Sequence, residues 1–583
     1  MKDQFIKIQA LCLAAVLSMS ILAGCRTGET TSSDTLSSEP FVSSAESQTQ
    51  SQVEEESELQ EPNSFNQQTP IEMAQAMQPG WNLGNSLDAI PTETSWNNEL
   101  VEKSTIDGIL ADGFRSIRIP VTWTHHVGEG PDYIIDSIWL DRVEQVVDWV
   151  IDQGAYAVLN MYHDSWEWVA NMTEQPEETT QKFVKIWSQI AERFKDKSQF
   201  LLFEALNEPP TTLTDDQLNT LNREFVETVR ATGGGNTERC LILSGSGNDP
   251  EKTMEGLVLP EDDRLMVTFH YYSPWDFVSN WWGKTSWGTE EDKNVVQDLF
   301  VRLHDTYVAK GIPVLLTEFA CNAYVYEPAQ LYWYDYITET AQANQISVML
   351  WDNGTIYNRS AKEWNYPRIA EIILQAAGSQ ENSFVIPGAI YLNPSEQLED
   401  KKVNMELRGN TLQGIYEGER ALTLGQDYLL DGNVVTLKRE YLESVQKTEY
   451  GLSATLDFRF SEGADYHLDI FQINQPTVGH TEYTLSAQGE KFDLTVSVEF
   501  YGASLQTVSA VEVESGANAS TQDSWTPYLR YDEDFYVTDS GIVLTKHFLE
   551  MLDEDTKCTF HFWGTAPVEI MIRIAEPAET SQE

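Results

Sequence analysis

Two glutamates, each closing a short apolar run, are the residues best placed to do chemistry. Phe200-Leu201-Leu202-Phe203-Glu204-Ala205-Leu206 leads into Asn207-Glu208-Pro209, and Val314-Leu315-Leu316-Thr317 leads into Glu318-Phe319. Apolar runs of this length between turn signals read as buried strands of a parallel sheet. A carboxylate where such a strand stops sits at the sheet's carboxyl edge, where α/β enzymes build their sites. Two of them, on strands far apart in sequence, supply what cleavage of a glycosidic bond requires: one acid, and one nucleophile or base. Taken singly, each reads equally well as a surface glutamate at a loop start.

Five further strand ends, and the one that carries Glu208, deliver side chains suited to the same site. Asn82 follows Gly80-Trp81, Arg118 opens Arg118-Ile119-Pro120, and the third run ends Asn160-Met161-Tyr162-His163-Asp164. Asn207 precedes Glu208, His270 and Tyr272 follow the sixth run, and Trp351 follows the eighth. An arginine inside a barrel strand needs a charged partner, because a buried charge is costly unless paired. A cation and a hydroxyl donor beside Glu318 would keep it ionised, and Arg118 and Tyr272 suit that task.

The elements that must position these residues are legible as periodicity. From Ile71 to about Ala377, eight strand candidates alternate with helical periods: Trp81-Leu83, Ser116-Ile119, Ala157-Asn160, Leu201-Ala205, Leu241-Leu243, Met266-Phe269, Val314-Thr317 and Val348-Leu350. Helices are expected over Leu140-Ile151, Thr179-Phe194 and Leu331-Gln342. Eight βα units in this length match an α/β fold of the (β/α)8 TIM-barrel type. The alternative, a doubly wound open sheet, lacks the glycine-rich phosphate loop after its first strand.

Beyond Ser379 short alternating strands take over, the pattern of small β-sandwich modules. Leu412-Gln413, Asp427-Tyr428, Val435-Thr436-Leu437 and Tyr441-Leu442 return in order as Leu505-Gln506, Asp534-Phe535, Ile542-Val543-Leu544 and Phe548-Leu549. Two tandem modules are therefore expected, over 384–475 and 476–578. The second holds an insertion with Trp525, Tyr528 and Tyr531, and a further Trp563.

The first 25 residues read as a lipoprotein leader. Lys2 and Lys7 precede an apolar run from Ala10 to Leu22, too short to span a bilayer comfortably. Leu22-Ala23-Gly24-Cys25 resembles the lipobox of bacterial lipoproteins, in which the cysteine becomes a diacylated N-terminus. Two acyl chains give stable anchoring, so a cell-surface, extracellular protein held to the membrane at Cys25 is expected. Residues 26–70, rich in Ser, Thr, Glu and Gln, read as a flexible tether spanning roughly 35–40 Å. Cys240, Cys321 and Cys558 are too few and too scattered for a disulfide framework or a zinc site.

Lys+Arg 37 against Asp+Glu 92 gives a formal charge of −55, which makes nucleic acid and anionic polysaccharide poor partners. A neutral polymer is compatible with that charge. Fifteen of the 17 tryptophans lie between Trp81 and Trp364, and flat aromatic faces stack well on sugar rings, although large aromatics also dominate cores.

Over about residues 71–378 the dispersed motifs resemble glycoside hydrolase family 5, in particular its subfamily 4 endoglucanases. Asn-Glu-Pro, Arg-Ile-Pro, His-Tyr-Tyr-Ser-Pro-Trp-Asp-Phe, Thr-Glu-Phe and Trp-Asp-Asn-Gly carry that likeness. It implies Glu208 as acid/base and Glu318 as nucleophile of a retaining double displacement, with carboxyls about 5–5.5 Å apart. It further implies that Asn207 bonds the sugar 2-OH, that His270 tunes the acid/base and that Trp351 floors the −1 sugar. Family members usually carry two adjacent histidines on the third strand, and here Tyr162 stands for the first. Either Tyr162 or His163 takes over a sugar contact, or either is a core polar group.

The last two modules resemble an immunoglobulin-like spacer and a family 46 carbohydrate-binding module, in which Trp525 and Tyr528 would stack on sugar. These likenesses imply a monomeric endo-β-1,4-glucanase of cellulose, mixed-linkage β-glucan or xyloglucan, without metal, nucleotide or redox cofactor. The rivals are a β-mannanase or xyloglucan-specific hydrolase on the same barrel, since fold does not fix the sugar. A non-catalytic glycan-binding surface lipoprotein is the rival from another class.

Overall fold

The computed structural model describes residues 68–96, 98–486, 491–519 and 525–575. The leader, Cys25 and most of the tether lie outside these residues. Eight parallel strands close in sequence order into a barrel: β1 (Gly80–Asn82), β2 (Ser116–Ile119), β3 (Tyr156–Asn160), β4 (Leu201–Glu204), β5 (Leu241–Ser244), β6 (Leu265–His270), β7 (Val314–Phe319) and β8 (Ile346–Leu350). Every residue of all eight is buried, which explains why they read as apolar runs without alternation. Helices cover the outside with apolar stripes; Pro176–Phe194 buries Phe183, Ile186, Trp187, Ile190 and Phe194 at helical spacing.

The described residues begin inside the segment read as tether. Thr69 and Glu72 form a reciprocal capping box on the helix Pro70–Ala76. That helix drives Met73 and Met77 into the amino-terminal mouth of the barrel, against Leu202, Ile242, Met266, Leu315 and Met349. The end of the barrel opposite the candidate site is thereby plugged with apolar side chains.

Strand register sets the upper layer. Asn82 pairs with Arg118, and Asn160 with Glu204, so four polar residues stand at neighbouring strand ends. On β7 the register shifts between Leu316 and Phe319 against β8, and at His270 against β6, where His270 pairs with Glu318. Irregularities of this kind re-aim a side chain beside a site.

Each C-terminal module is a pair of sheets with the same strand order. In the first, the strands Ala389–Leu392, Tyr466–Gln472, Gly451–Phe460 and Leu412–Glu417 lie side by side; in the second, Glu482–Ser486, Val568–Ala575, Thr556–Phe562 and Leu505–Glu512 repeat that order. The first pair of strands is parallel in both modules. The sequence echo is thus a repeated topology.

Both modules pack on the barrel. Arg408 of the first reaches Asp335 and Glu339 of the helix Glu327–Ala343, and Arg368 of the barrel reaches Asp469. The second docks on the loop after β6. Trp281 pairs backbone to backbone with Arg530 and donates its indole N–H to the Tyr531 carbonyl at 3.0 Å. Tyr324 stacks on Tyr531, and Tyr326 on Trp563. Cys240, Cys321 and Cys558 are buried free thiols.

Candidate active site

Arg118 is wholly buried at the centre of the carboxyl face. Its Nε and Nη2 reach the two oxygens of Glu204 at 2.6 and 2.9 Å, and its Nη1 reaches Glu318 Oε1 at 2.6 Å. Burial disfavours the cation, but Glu204 and Glu318 outweigh it and hold the guanidinium charged well beyond its ordinary range. Asn82 is equally buried: its amide donates to the carbonyls of Thr317, Met349 and Leu350, and its Oδ1 accepts from Arg118. Asn82 is thus a brace under Arg118, and its position in the barrel interior removes it from the sugar contacts proposed from sequence. Asn207 Oδ1 also accepts from Arg118, at 2.7 Å, which commits the oxygen and leaves Nδ2 as the donor for a ligand.

Glu318 carries hydrogen bonds on both oxygens. Oε1 accepts from Arg118 and from Tyr162 Oη at 2.8 Å; Oε2 accepts from Tyr272 Oη at 2.9 Å. Burial pushes this carboxyl up, yet His270, Arg118 and Tyr162 together hold it below the ordinary glutamate value. Burial and the Glu318 charge raise both tyrosines well above the phenol range, so both remain donors.

Glu208 lies in the turn after β4 with a positive φ of 37°, a conformation costly for a residue with a side chain and one that clusters at functional sites. Its side chain is partly exposed, unlike that of Glu318. His270 links the two: Nδ1 is 3.0 Å from Glu208 Oε1 and 3.5 Å from Glu318 Oε2, while Nε2 meets Asn248 Nδ2 at 3.0 Å. With the Asn248 amide donating to Nε2, the ring proton sits on Nδ1, facing the carboxylates. Donor atoms of Glu208, His270 and Glu318 all lie within 4.8 Å of one another, close enough to grip a metal ion, which would compete for both carboxylates.

The remaining candidates divide. Trp351 lies parallel to Tyr162, with ring centres 5.8 Å apart, and sits over Gly84, where a Cβ would come within 2.6 Å of the indole. Tyr162 thus faces the Glu318 carboxylate. His163 is buried between Trp96 and Trp166, 3.6 Å from Asp88. Trp525 is 65% exposed and meets Trp282 of the barrel edge-on at 5.6 Å. Tyr528 lies half-buried against Gly283, so this ring is a docking contact with the barrel.

Sequence reasoning missed Glu204, Asn160 and Asn248. Glu204 is a charge inside an apolar run, and that mismatch was the available signal for the partner of Arg118. Asn160 bonds Glu204 at 3.2 Å. Asn248 follows Gly245-Ser246-Gly247 after β5, the strand to which no site residue was assigned.

A TIM barrel carrying two carboxylates on its carboxyl face, with an oxygen of each within 4.8 Å of the other, has the close-set acid pair of retaining glycoside hydrolases. Residues 82–356 match the family model described as cellulase (glycosyl hydrolase family 5). Residues 388–470 match carbohydrate binding domain X2, and residues 481–578 match the family 46 carbohydrate binding domain. Endoglucanase B of Paenibacillus lautus is 33% identical over 527 residues, 86% of this chain and 91% of that protein. A tri-modular subfamily 4 endo-β-1,4-glucanase from Bacillus licheniformis, solved with cellotetraose, superposes with TM-score 0.85 at 38% identity, covering 87% of this chain and all of that one. Endo-β-1,4-glucanase B from Bacillus halodurans gives TM-score 0.81 at 32% identity, covering 88% of this chain and 98% of that one. This chain belongs to glycoside hydrolase family 5.

Proposed function

We propose that the chain is a retaining endo-β-1,4-glucanase of cellulose-type glucans, with Glu208 as acid/base and Glu318 as nucleophile. The observation that carries this is the spacing of Glu208, His270 and Glu318 within 4.8 Å, with Glu318 braced by three donors and Glu208 by one imidazole. That separation leaves no room for a water between the carboxyls, so direct attack on the anomeric carbon is the step the geometry favours. In the first step Glu318 attacks C1 while the proton of Glu208 passes to the departing glycosidic oxygen. In the second, Glu208 takes a proton from water, which attacks C1 and releases the Glu318 carboxylate. Asn207 Nδ2 supports the transition state as a donor to the 2-OH, and Trp351 offers the flat face beneath the reacting ring.

The relatives' activity on β-1,4-glucan supports the substrate class, and the two modules suit a polymer. Release of reducing ends from carboxymethylcellulose, with mannan and xyloglucan as controls, tests the reading. Hydrolysis of mannan alone would reject the glucanase assignment, and hydrolysis of xyloglucan with neither of the other two would point to the xyloglucan-specific rival.

The lipobox-like Leu22-Ala23-Gly24-Cys25 and the polar tether support a cell-surface location through a lipid anchor at Cys25. Metabolic labelling with a fatty acid should mark the wild-type chain and not Cys25→Ala.

A further inference from the structure

We infer that Tyr162 is a catalytic residue that speeds breakdown of the covalent glycosyl-enzyme at the expense of its formation. The inference rests on Glu318 as nucleophile and goes one step further, to the separate work of its two oxygens. Oε2 lies 3.5 Å from the same His270 nitrogen that meets Glu208 at 3.0 Å, so Oε2 faces the acid/base across the gap. Oε1 is held from behind by Arg118 at 2.6 Å and Tyr162 at 2.8 Å. Oε2 is therefore the oxygen that attacks, and Oε1 becomes the carbonyl oxygen of the glycosyl ester.

The consequence follows from charge. In the first step the Oε2–C1 bond forms, the C1–O bond to the leaving sugar breaks, and the carboxylate loses its negative charge. In the second, water attacks C1, its proton goes to Glu208, the C1–Oε2 bond breaks and the electron pair returns to Glu318. A donor on Oε1 stabilises the charged carboxylate more than the ester, so it opposes the first step and assists the second. Tyr162 is suited to this because its ring is fixed: 1% exposed, parallel to Trp351 at 3°, with the Arg118 guanidinium 5.4 Å from its centre. The position that usually holds a histidine in related barrels thus supplies a phenol aimed at the nucleophile.

The test is Tyr162→Phe, which keeps the ring and its stack on Trp351 and removes only the hydroxyl. A 2-deoxy-2-fluoro-β-cellobioside with a good leaving group traps the ester, and peptide mapping locates the label. Reactivation of the trapped enzyme then reads the second step alone. Loss of one hydrogen bond to a charged group predicts reactivation roughly tenfold slower in Tyr162→Phe, with trapping unchanged or faster. On 2,4-dinitrophenyl β-cellobioside, kcat and KM should fall together while kcat/KM holds, and the burst should grow. The acid limb of kcat/KM should also move to higher pH, since Arg118, His270 and Tyr272 remain around Glu318 and only the Tyr162 donor is gone, with Glu208 and Glu204 unchanged. Tyr162→His, which restores a donor, should recover part of the reactivation rate. Label on Glu318 with unchanged reactivation, or slowed trapping with an unchanged acid limb, overturns the role of Tyr162 alone. Label on Glu208 overturns the nucleophile assignment beneath it.

Discussion

Arg118 stands between Glu204 and Glu318, 2.6 Å from the nearest oxygen of each. One buried cation thus serves two buried carboxylates, and the triad carries a net charge of −1. Glu204 draws off part of the field that would otherwise fall on Glu318. Glu204→Gln should therefore destabilise the barrel by about 1.5–3 kcal/mol, the worth of hydrogen bonds to a charged group, since Arg118 keeps Glu318 as its partner. It should also shift the acid limb of kcat/KM downward, because Arg118 then acts on Glu318 alone. Urea denaturation and a pH–rate profile check the two parts, and a variant as stable as wild type would refute the shared-cation account.

The roles of the two glutamates are separable by their products. NMR of early hydrolysis should show the β-anomer first, as a double displacement requires. Glu318→Gln should abolish turnover while leaving oligosaccharide binding nearly intact. Glu208→Ala should still cleave an aryl glycoside with a good leaving group, faster with azide, and yield the β-glycosyl azide. An α-azide from Glu208→Ala would reverse the assignments.

The barrel was legible because its strands are buried on both faces and its helices on one, so the strands showed as unbroken apolar runs and the helices by their period. The candidate site was legible where a polar residue ends an apolar run, at Glu208, His270 and Glu318, and where a charge interrupts one, at Arg118. Asn82 and Tyr162 fit the same pattern, but their sequence positions do not say which way the side chain points. Asn82 turns into the barrel because three carbonyls and Arg118 consume its amide. Tyr162 turns to Glu318 because Trp351 lies flat beside it. The docking of the last module on Trp281 has no sequence signal, since it joins residues about 250 apart through backbone pairing and ring stacking.

The depressed Glu318 carboxyl sets a pH expectation. Activity needs Glu318 ionised, and its folded value lies below the ordinary 4.5, so kcat/KM should persist as pH falls past 4.5 and decline only lower. The same group contributes stability that is complete above its unfolded value and is lost as pH falls through its folded one. An acid limb centred above 4.5 would contradict the bracing of Glu318 by His270, Arg118 and Tyr162.

The contact between barrel and first module behaves in the opposite sense. Burial, a carboxyl–carboxyl hydrogen bond with Glu381 and the nearby Asp335 push Glu339 up to about 8, against the pull of Arg408. A carboxyl raised on folding favours the protonated fold, so its contribution is intact below its unfolded value and is lost as pH climbs toward the folded one. Thermal unfolding followed between pH 5 and 8 should show Tm falling for the wild type. Glu339→Gln should flatten that slope, and an equal slope in both proteins would remove Glu339 as its source.

Trp525 offers the cleanest test of what the last module does for catalysis. Deleting residues 476–583 should lower activity on polymer, but it also uncovers Trp281, which is 4% exposed and lies in that module's core cluster. Loss of fit at the loop after β6 would then reach His270 and Tyr272 on the same strand end. Trp525→Ala avoids this, because the ring is 65% exposed and meets the barrel edge-on at Trp282. If a ring stacked on a sugar face is worth as much as an aromatic pair, about 0.5–1.5 kcal/mol, activity on long β-glucan should fall roughly two- to tenfold. Cellopentaose, which fills only the catalytic cleft, should be cleaved at the wild-type rate. Equal losses on both substrates would make Trp525 a support for the barrel loop, and no loss on either would leave polymer capture to other residues.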